Sequence, residues 1–206
     1  MQIHDLNGAA PQPGVLRPAL TLLLLFTLLT GVLYPLAVTG IAGIAFPRQS
    51  GGSLVERDGK TVGSALLGQG FAAPQYFHGR PSGAGASGYD AASSSGSNYG
   101  PTSRALLERI AADAERLKKE QPGKPIPADL LTASGSGLDP QISPAAAEYQ
   151  VARVAAARGI PEDRIRLLLQ VHTQGRGLGF LGEPGVNVLA LNLALDAEAP
   201  ARPPAE

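Results

Sequence analysis

The apolar positions of this chain follow two different patterns. Between Arg17 and Arg48, the thirty residues Pro18 to Pro47 carry no charge. From Leu20 to Phe46 the run has no polar face: Leu22 to Leu25, Leu28 and Leu29 cover every side of a helix within two turns. Helices of soluble domains are usually ~8–20 residues long, with charges on their outer side. About 20 apolar residues cross a hydrocarbon core, so the pattern predicts a transmembrane helix with residues to spare for tilt. A cleavable signal sequence, with Gly43-Ile44-Ala45 as its small-x-small site, is the competing reading. It calls for a basic leader and an apolar run of ~7–15 residues, whereas only Arg17 precedes this longer run. Pro35 inside the span removes a backbone donor and predicts a kink.

Beyond Arg48 the pattern becomes periodic. Residues 53–64 place Asp58-Gly59 between two short β-branched runs, which predicts a hairpin with a positive-φ turn. A helix is predicted from a cap at Thr102 or Ser103 to about Lys119, with Leu106, Leu107, Ile110, Ala114 and Leu117 on one face. Lys118 and Lys119 suit its C-terminal end, and Pro122 and Pro125 stop it. Ser143-Pro144 starts a second helix that Gly159 ends. Pro161-Glu-Asp starts a third, which buries Ile165, Leu168, Leu169 and His172. Val186 to Leu195 is apolar enough for core and reads as a buried strand at its start. Between Phe71 and Ser103 no period holds; aromatic residues (Phe71, Tyr76, Phe77, Tyr89, Tyr99) punctuate a glycine-rich stretch whose only charged residues are Arg80 and Asp90. Spaced aromatics in so long a loop predict that it packs on something.

Small residues recur along the span. Thr27, Gly31, Pro35, Val38 and Ala42 repeat at three- and four-residue spacing, and Thr39 and Gly43 form a second pair. In lipid, such a stripe lets another helix approach closely, so these seven residues are a candidate docking face; a lone anchor of ordinary membrane composition is the alternative.

Composition narrows the picture. Glycine and proline supply 26 and 18 of 206 residues, so much irregular backbone is expected. Lys plus Arg and Asp plus Glu balance at 17 each, which gives neither a nucleic-acid footprint nor an acidic tail. The chain has no cysteine, hence no disulfide and no thiolate metal site. The expected organisation is a short disordered tail (1–16), a transmembrane helix (17–47), one mixed α+β domain with long glycine-rich loops (48–198) and a disordered C-terminal tail (199–206). Near the span, Arg17 faces Arg48, Arg57 and Lys60 across the membrane, a count that favours a cytoplasmic domain, although long domains can translocate regardless of it.

Candidate chemistry is sparse. Gly59-Lys60-Thr61 ends like a phosphate-binding loop, but Leu54 stands where its first glycine belongs and a hairpin is the wrong context. Gly83-x-Gly85-x-x-Gly88 and Gly177-x-Gly179-x-x-Gly182 match the dinucleotide fingerprint by letter alone. His4, His78 and His172 have no ligand spacing, and His172 reads as a hydrogen-bonded core residue. Asp139 reads as a turn residue fixing the loop before the next helix cap. No metal site, catalytic residue or tightly bound cofactor is expected.

Several separated motifs nevertheless occur in a telling order: Arg17-Pro18 before LTGVLYPLAVTGIA, then Tyr76-Phe-His-Gly-Arg-Pro-Ser82 and Ser94-Ser-Gly-Ser-Asn-Tyr-Gly-Pro-Thr102. After them come Asp129-Leu-Leu-Thr-Ala-Ser-Gly-Ser-Gly-Leu-Asp-Pro140, Ile142-Ser-Pro144 and the run from Phe180 to Asp196. Over about Arg17 to Asp196 the chain resembles the C-subunit family of the bacterial Kdp potassium-transporting P-type ATPases. It departs from the family at Ser103, where asparagine is usual, and at Gly83-Ala-Gly. The resemblance implies a single-pass inner-membrane subunit, partnered by the bilayer, a channel-like potassium-selecting subunit and a P-type ATPase subunit, with its domain on the periplasmic side. The expected role is non-catalytic assembly and stabilisation of that complex. The family is also described as a chaperone that raises the ATPase subunit's affinity for ATP, which would need a cytoplasmic domain; a tethered periplasmic ligand-binding module is a third reading. The candidate partner-contact loop comprises Tyr76, Phe77, Arg80, Tyr89, Ser95, Gly96, Ser97 and Asn98; nucleotide-binding residues are not assigned.

Overall fold

The computed structural model describes residues 14–199, and its contacts divide the chain into two units between Gly52 and Ser53. His4 and nearly all of the two expected tails lie outside the described residues.

The first unit is helical. Helices α1 (Leu16–Leu28) and α2 (Tyr34–Ala45) join through a π turn at Leu29–Leu33 into one 30-residue helix with no buried residue, of which an 18-residue stretch has a mean hydropathy of 2.1. At 1.5 Å per residue it is about 45 Å long, more than a hydrocarbon core of about 30 Å requires. The π turn accounts for Pro35. A proline ring in an α-helix collides with the carbonyl four residues back, here that of Gly31, and supplies no donor for it. The wider turn relaxes this, and the Tyr34 N–H donates to the Leu29 carbonyl, five residues back. The hydroxyls of Thr21 and Thr30 donate to the carbonyls of Arg17 and Phe26, so they expose no free donor to lipid. Phe46 leaves helical geometry (φ −138°), and Pro47 opens the single turn α3 (Pro47–Ser50).

The second unit mixes helices with two small sheets. Strands β1 (Leu54–Arg57) and β2 (Lys60–Ser64) pair antiparallel, and Asp58 and Gly59 hold φ of 51° and 72°, as the turn chemistry predicts. Then follow a long segment without regular elements, α4 (Arg104–Glu120), a 3-10 turn at Ala128–Leu130, β3 (Gln141–Ile142), α5 (Pro144–Arg158), α6 (Glu162–His172), β4 (Thr173–Gln174), β5 (Gly185–Asn187) and α7 (Val188–Glu198). The second sheet is antiparallel with order β3-β5-β4. The core lies where α5, α6 and α7 pack around β5, and Phe77 of the long loop and Leu117 of α4 reach into it.

Local signals explain the boundaries. The Ser143 hydroxyl accepts from the Ala146 N–H at 3.0 Å, Pro144 occupies the first turn of α5, and Gly159 ends it at φ 68°. The apolar run from Val186 is a strand only at its start: the Asn187 side chain accepts from the Ala190 N–H and caps a helix there. Two expected core positions differ. On α4 only Leu117 is fully buried and Leu107 faces solvent, because the helix meets the body of the domain along a narrow stripe. His172 is half-exposed at the end of α6, its Nδ1 2.9 Å from the Leu168 carbonyl oxygen.

Candidate functional site

The long loop is fastened by side chains. Consecutive backbone groups of residues 74–78 find partners on α5 and α7, in place of a neighbouring strand. Arg153 donates to the carbonyls of Pro74 (2.5 Å) and Tyr76 (3.0 Å), and Arg158 to that of Gln75 (2.8 Å). Asn192 brackets Phe77, accepting from its N–H at 2.8 Å and donating to its carbonyl at 3.0 Å. Gln150 does the same for His78, at 2.8 and 3.1 Å. Both amides are almost fully buried, where an unpaired polar group would be costly, so the pairing orders the loop closely. Phe77 is fully buried between them. This corrects its place among the partner contacts: its ring belongs to the core.

The next residues build a double loop. Arg80 reaches across to the second glycine-rich segment, pairing with Asp139 at 3.2 Å and donating to the Thr132 and Ala133 carbonyls. The Asp139 carboxylate also accepts from the Gln141 N–H, so its turn role holds. The Ser82 hydroxyl donates to the Gly137 carbonyl at 2.6 Å and accepts from the N–H groups of Ala84 and Tyr89. The Tyr89 hydroxyl closes the loop on the Arg80 carbonyl at 2.5 Å. Glycine permits the close approach: a Cβ on Gly137 would lie 2.5 Å from the Ser95 carbonyl oxygen and 2.7 Å from the Ala84 nitrogen. Tyr76, Arg80 and Tyr89 therefore brace the loop from within, half-buried, while Ser95 and Asn98 are exposed and Gly96 and Ser97 are half-covered. Asp129, the first residue of the Asp129–Pro140 run, ties this region to α5 by accepting from both the N–H and the hydroxyl of Ser143.

A cavity of about 260 Å³ opens beside the loop, lined by Phe71, His78, Arg80, Tyr89, Arg116 and Glu120 among others. Burial, and then the charge of nearby Arg153, push the His78 imidazole below its ordinary value of 6.5. The unfolded chain thus binds the proton more readily, and stability is lost as pH falls through 6.5 toward the lower folded value. The melting temperature is expected to drop between pH 7.5 and 5.5, and to drop less in His78→Gln; equal slopes in the two proteins would count against this assignment.

The three glycine patterns do not form phosphate cradles. Gly59-Lys60-Thr61 sits in the turn and second strand of the hairpin, Gly83 to Gly88 in the double loop, and Gly177 to Gly182 between β4 and β5. None leads from a strand into a helix N-terminus, which is the context that holds phosphate.

On the span, Thr27, Gly31, Pro35, Val38, Thr39 and Gly43 are exposed among the described residues and Ala42 is half-covered, and a Cβ on Gly31 or Gly43 would meet nothing within 4 Å. In an α-helix, four-residue steps overshoot a full turn by about 40°. The wider π turn offsets part of this, which keeps Thr27, Gly31, Pro35 and Thr39 close to one line.

Comparison with known proteins decides the family. The family model described as KdpC, the c chain of K+-transporting ATPase, matches residues 16–197. The chain belongs to the KdpC family. A potassium-transporting ATPase KdpC subunit of Methylobacterium nodulans is 59% identical over 192 residues, covering 88% of this chain and 96% of the relative. The KdpC subunit of Caulobacter vibrioides is 60% identical over 186 residues (90% and 94%), and that of Methylorubrum extorquens 58% over 191 (87% and 95%). The KdpC match begins at the first residue of α1 and so takes in the whole apolar helix as well as the domain.

Proposed function

We propose that this protein is a non-catalytic accessory subunit of an ATP-driven potassium uptake pump, which it serves by assembling and stabilising the channel-like and ATP-hydrolysing subunits. The observation that carries this reading is the 30-residue apolar helix whose small-residue line Thr27, Gly31, Pro35 and Thr39 is exposed among the described residues. Such a line allows backbone-to-backbone approach by a partner helix, and packing is what drives association where lipid and side chain are equally apolar. The architecture of the domain supports the same role. Its conspicuous polar groups (Arg80, Asp139, Arg153, Arg158, Asn192) are engaged in holding its own loops. On this reading the domain lies on the outer, periplasmic face of the inner membrane, as the family resemblance implies.

Gly31→Leu combined with Gly43→Leu fills the line without adding charge. The variant is expected to stay in the membrane fraction while its recovery with the other pump subunits falls about tenfold. Recovery equal to wild type would sink the docking role of this face. A single cysteine at Ser94, in a chain that has none, should react with an impermeant thiol label added from the periplasmic side.

A further inference from the structure

The β1–β2 hairpin is charged at one end and apolar at the other. Its turn carries Glu56, Arg57, Asp58 and Lys60, whereas toward its root no Lys, Arg, Asp or Glu occurs from Ser53 to Val55 or from Thr61 to Gly79. Three leucines are exposed at that root: Leu54 (52%), Leu66 (61%) and Leu67 (40%). Leu54 pairs in register with Ser64, and the Ala65 N–H donates to the Ser53 carbonyl at 3.0 Å, which gathers the three at one end of the hairpin. The turn that bears Leu66 and Leu67 is fixed through its backbone. Their N–H groups donate to the hydroxyl and the carbonyl of Ser64, that of Gly68 donates to the Leu138 carbonyl, and the Ala65 carbonyl accepts from Asn187. Large apolar side chains are thus held outward on a braced support.

We propose that Leu54, Leu66 and Leu67 seat in the boundary between headgroups and acyl chains of the bilayer that the span crosses, docking the hairpin root on the lipid surface. The proposal goes beyond the accessory-subunit reading and does not depend on it. Chain continuity names the occupant. Residues 46–52 join the span to Ser53, and with four of them coiled in α3 this link reaches no more than about 20 Å. Among the exposed large apolar residues of the domain, these three leucines are the first to follow the span. The tether keeps them at high effective concentration beside the membrane, so a patch far smaller than the ~800 Å² that a stable protein interface buries on each partner is enough. Seating in the boundary layer needs apolar area and no shaped recess, and it penalises charge, which the root lacks. The exposed Arg48 of α3 adds a cation suited to anionic headgroups.

The test uses the assembled potassium-transporting ATPase in nanodiscs of phosphatidylcholine and phosphatidylglycerol, with p-benzoylphenylalanine replacing Leu66. Irradiation is expected to add the mass of a lipid to this chain, and the same probe replacing Lys60, at the charged end of the hairpin, should add none. An adduct with another subunit, no adduct, or equal lipid adducts at the two positions would overturn the proposal. A second reading uses the full chain alone in such nanodiscs, with bimane on Leu67→Cys, which is a single label because the chain has no other cysteine. Lipid brominated on its acyl chains should quench the label, and the added pair Leu54→Ser, Leu66→Ser should abolish that quenching. Emission unchanged by brominated lipid, or quenching that persists without the two leucines, would also overturn the proposal, while the accessory-subunit reading would stand.

Discussion

Replacing Arg158 with leucine is expected to lower the unfolding free energy by about 3–5 kcal/mol, the cost of breaking a buried ion pair from one side. Its side chain is 1% exposed, and each of its nitrogens is engaged: Nη2 with Asp196 at 2.8 Å, Nε with the Gln75 carbonyl, and Nη1 with the Ala199 carbonyl at 2.7 Å. The guanidinium also lies 5.1 Å from the centre of the Tyr76 ring. The other Asp196 oxygen accepts from the Tyr76 hydroxyl at 3.1 Å and from Arg57 of the hairpin at 3.2 Å. Removing Arg158 leaves Asp196 only the half-exposed Arg57 and the Tyr76 hydroxyl, unties the Gln75 and Ala199 carbonyls, and loosens the loop and α7 together. The double variant Arg158→Leu, Asp196→Leu should regain part of the loss, since an apolar pair carries no desolvation cost. Urea unfolding of the full chain in detergent, followed by far-UV circular dichroism, measures both. A single-variant loss below about 1 kcal/mol would show that the network contributes no more than a surface pair.

Gly137→Ala is expected to cost about 3 kcal/mol, combining a left-handed backbone at φ 67° with overpacking against two backbone atoms. Neither the Ser95 carbonyl nor the Ala84 nitrogen can step aside as a flexible side chain would, so the two glycine-rich loops must separate. Gly135→Ala, two residues away with nothing within 4 Å of the added carbon, is the matched control and should fall within about 0.5 kcal/mol of wild type. The same unfolding assay checks the pair, and equal stability of the two variants would remove the loop contact from the account. Faster proteolysis within residues 82–98 of the Gly137 variant would place the loss in the double loop.

The regular elements were legible because their signals are local. Asp58-Gly59, Ser143-Pro144 and Gly159 each fix their own backbone, and the uncharged run of the span needs no tertiary context. Leu107 was misplaced because periodicity marks a face but not how wide a strip of it the body of the domain covers. The bracing of the loop was invisible for a related reason: Gln150, Arg153, Arg158 and Asn192 act across 72 to 115 positions of sequence, through hydrogen bonds that no short window contains. One trace of it could be read. Asn187 and Asn192 are the only polar residues in the run Val186 to Leu195, and a polar side chain held in an apolar run implies a buried partner. The turn between β4 and β5 had left its mark as a glycine pattern, whose letters gave no hint that leucine and phenylalanine between the glycines point outward.

Residues 74–78 borrow their hydrogen-bond partners from two helices at once, Gln150, Arg153 and Arg158 on α5 and Asn192 on α7. Phe77 and His78, neighbours on the chain, are therefore gripped by different jaws of one vice. These five residues thereby fasten α5 to α7, and loosening either helix's grip frees the same stretch of loop.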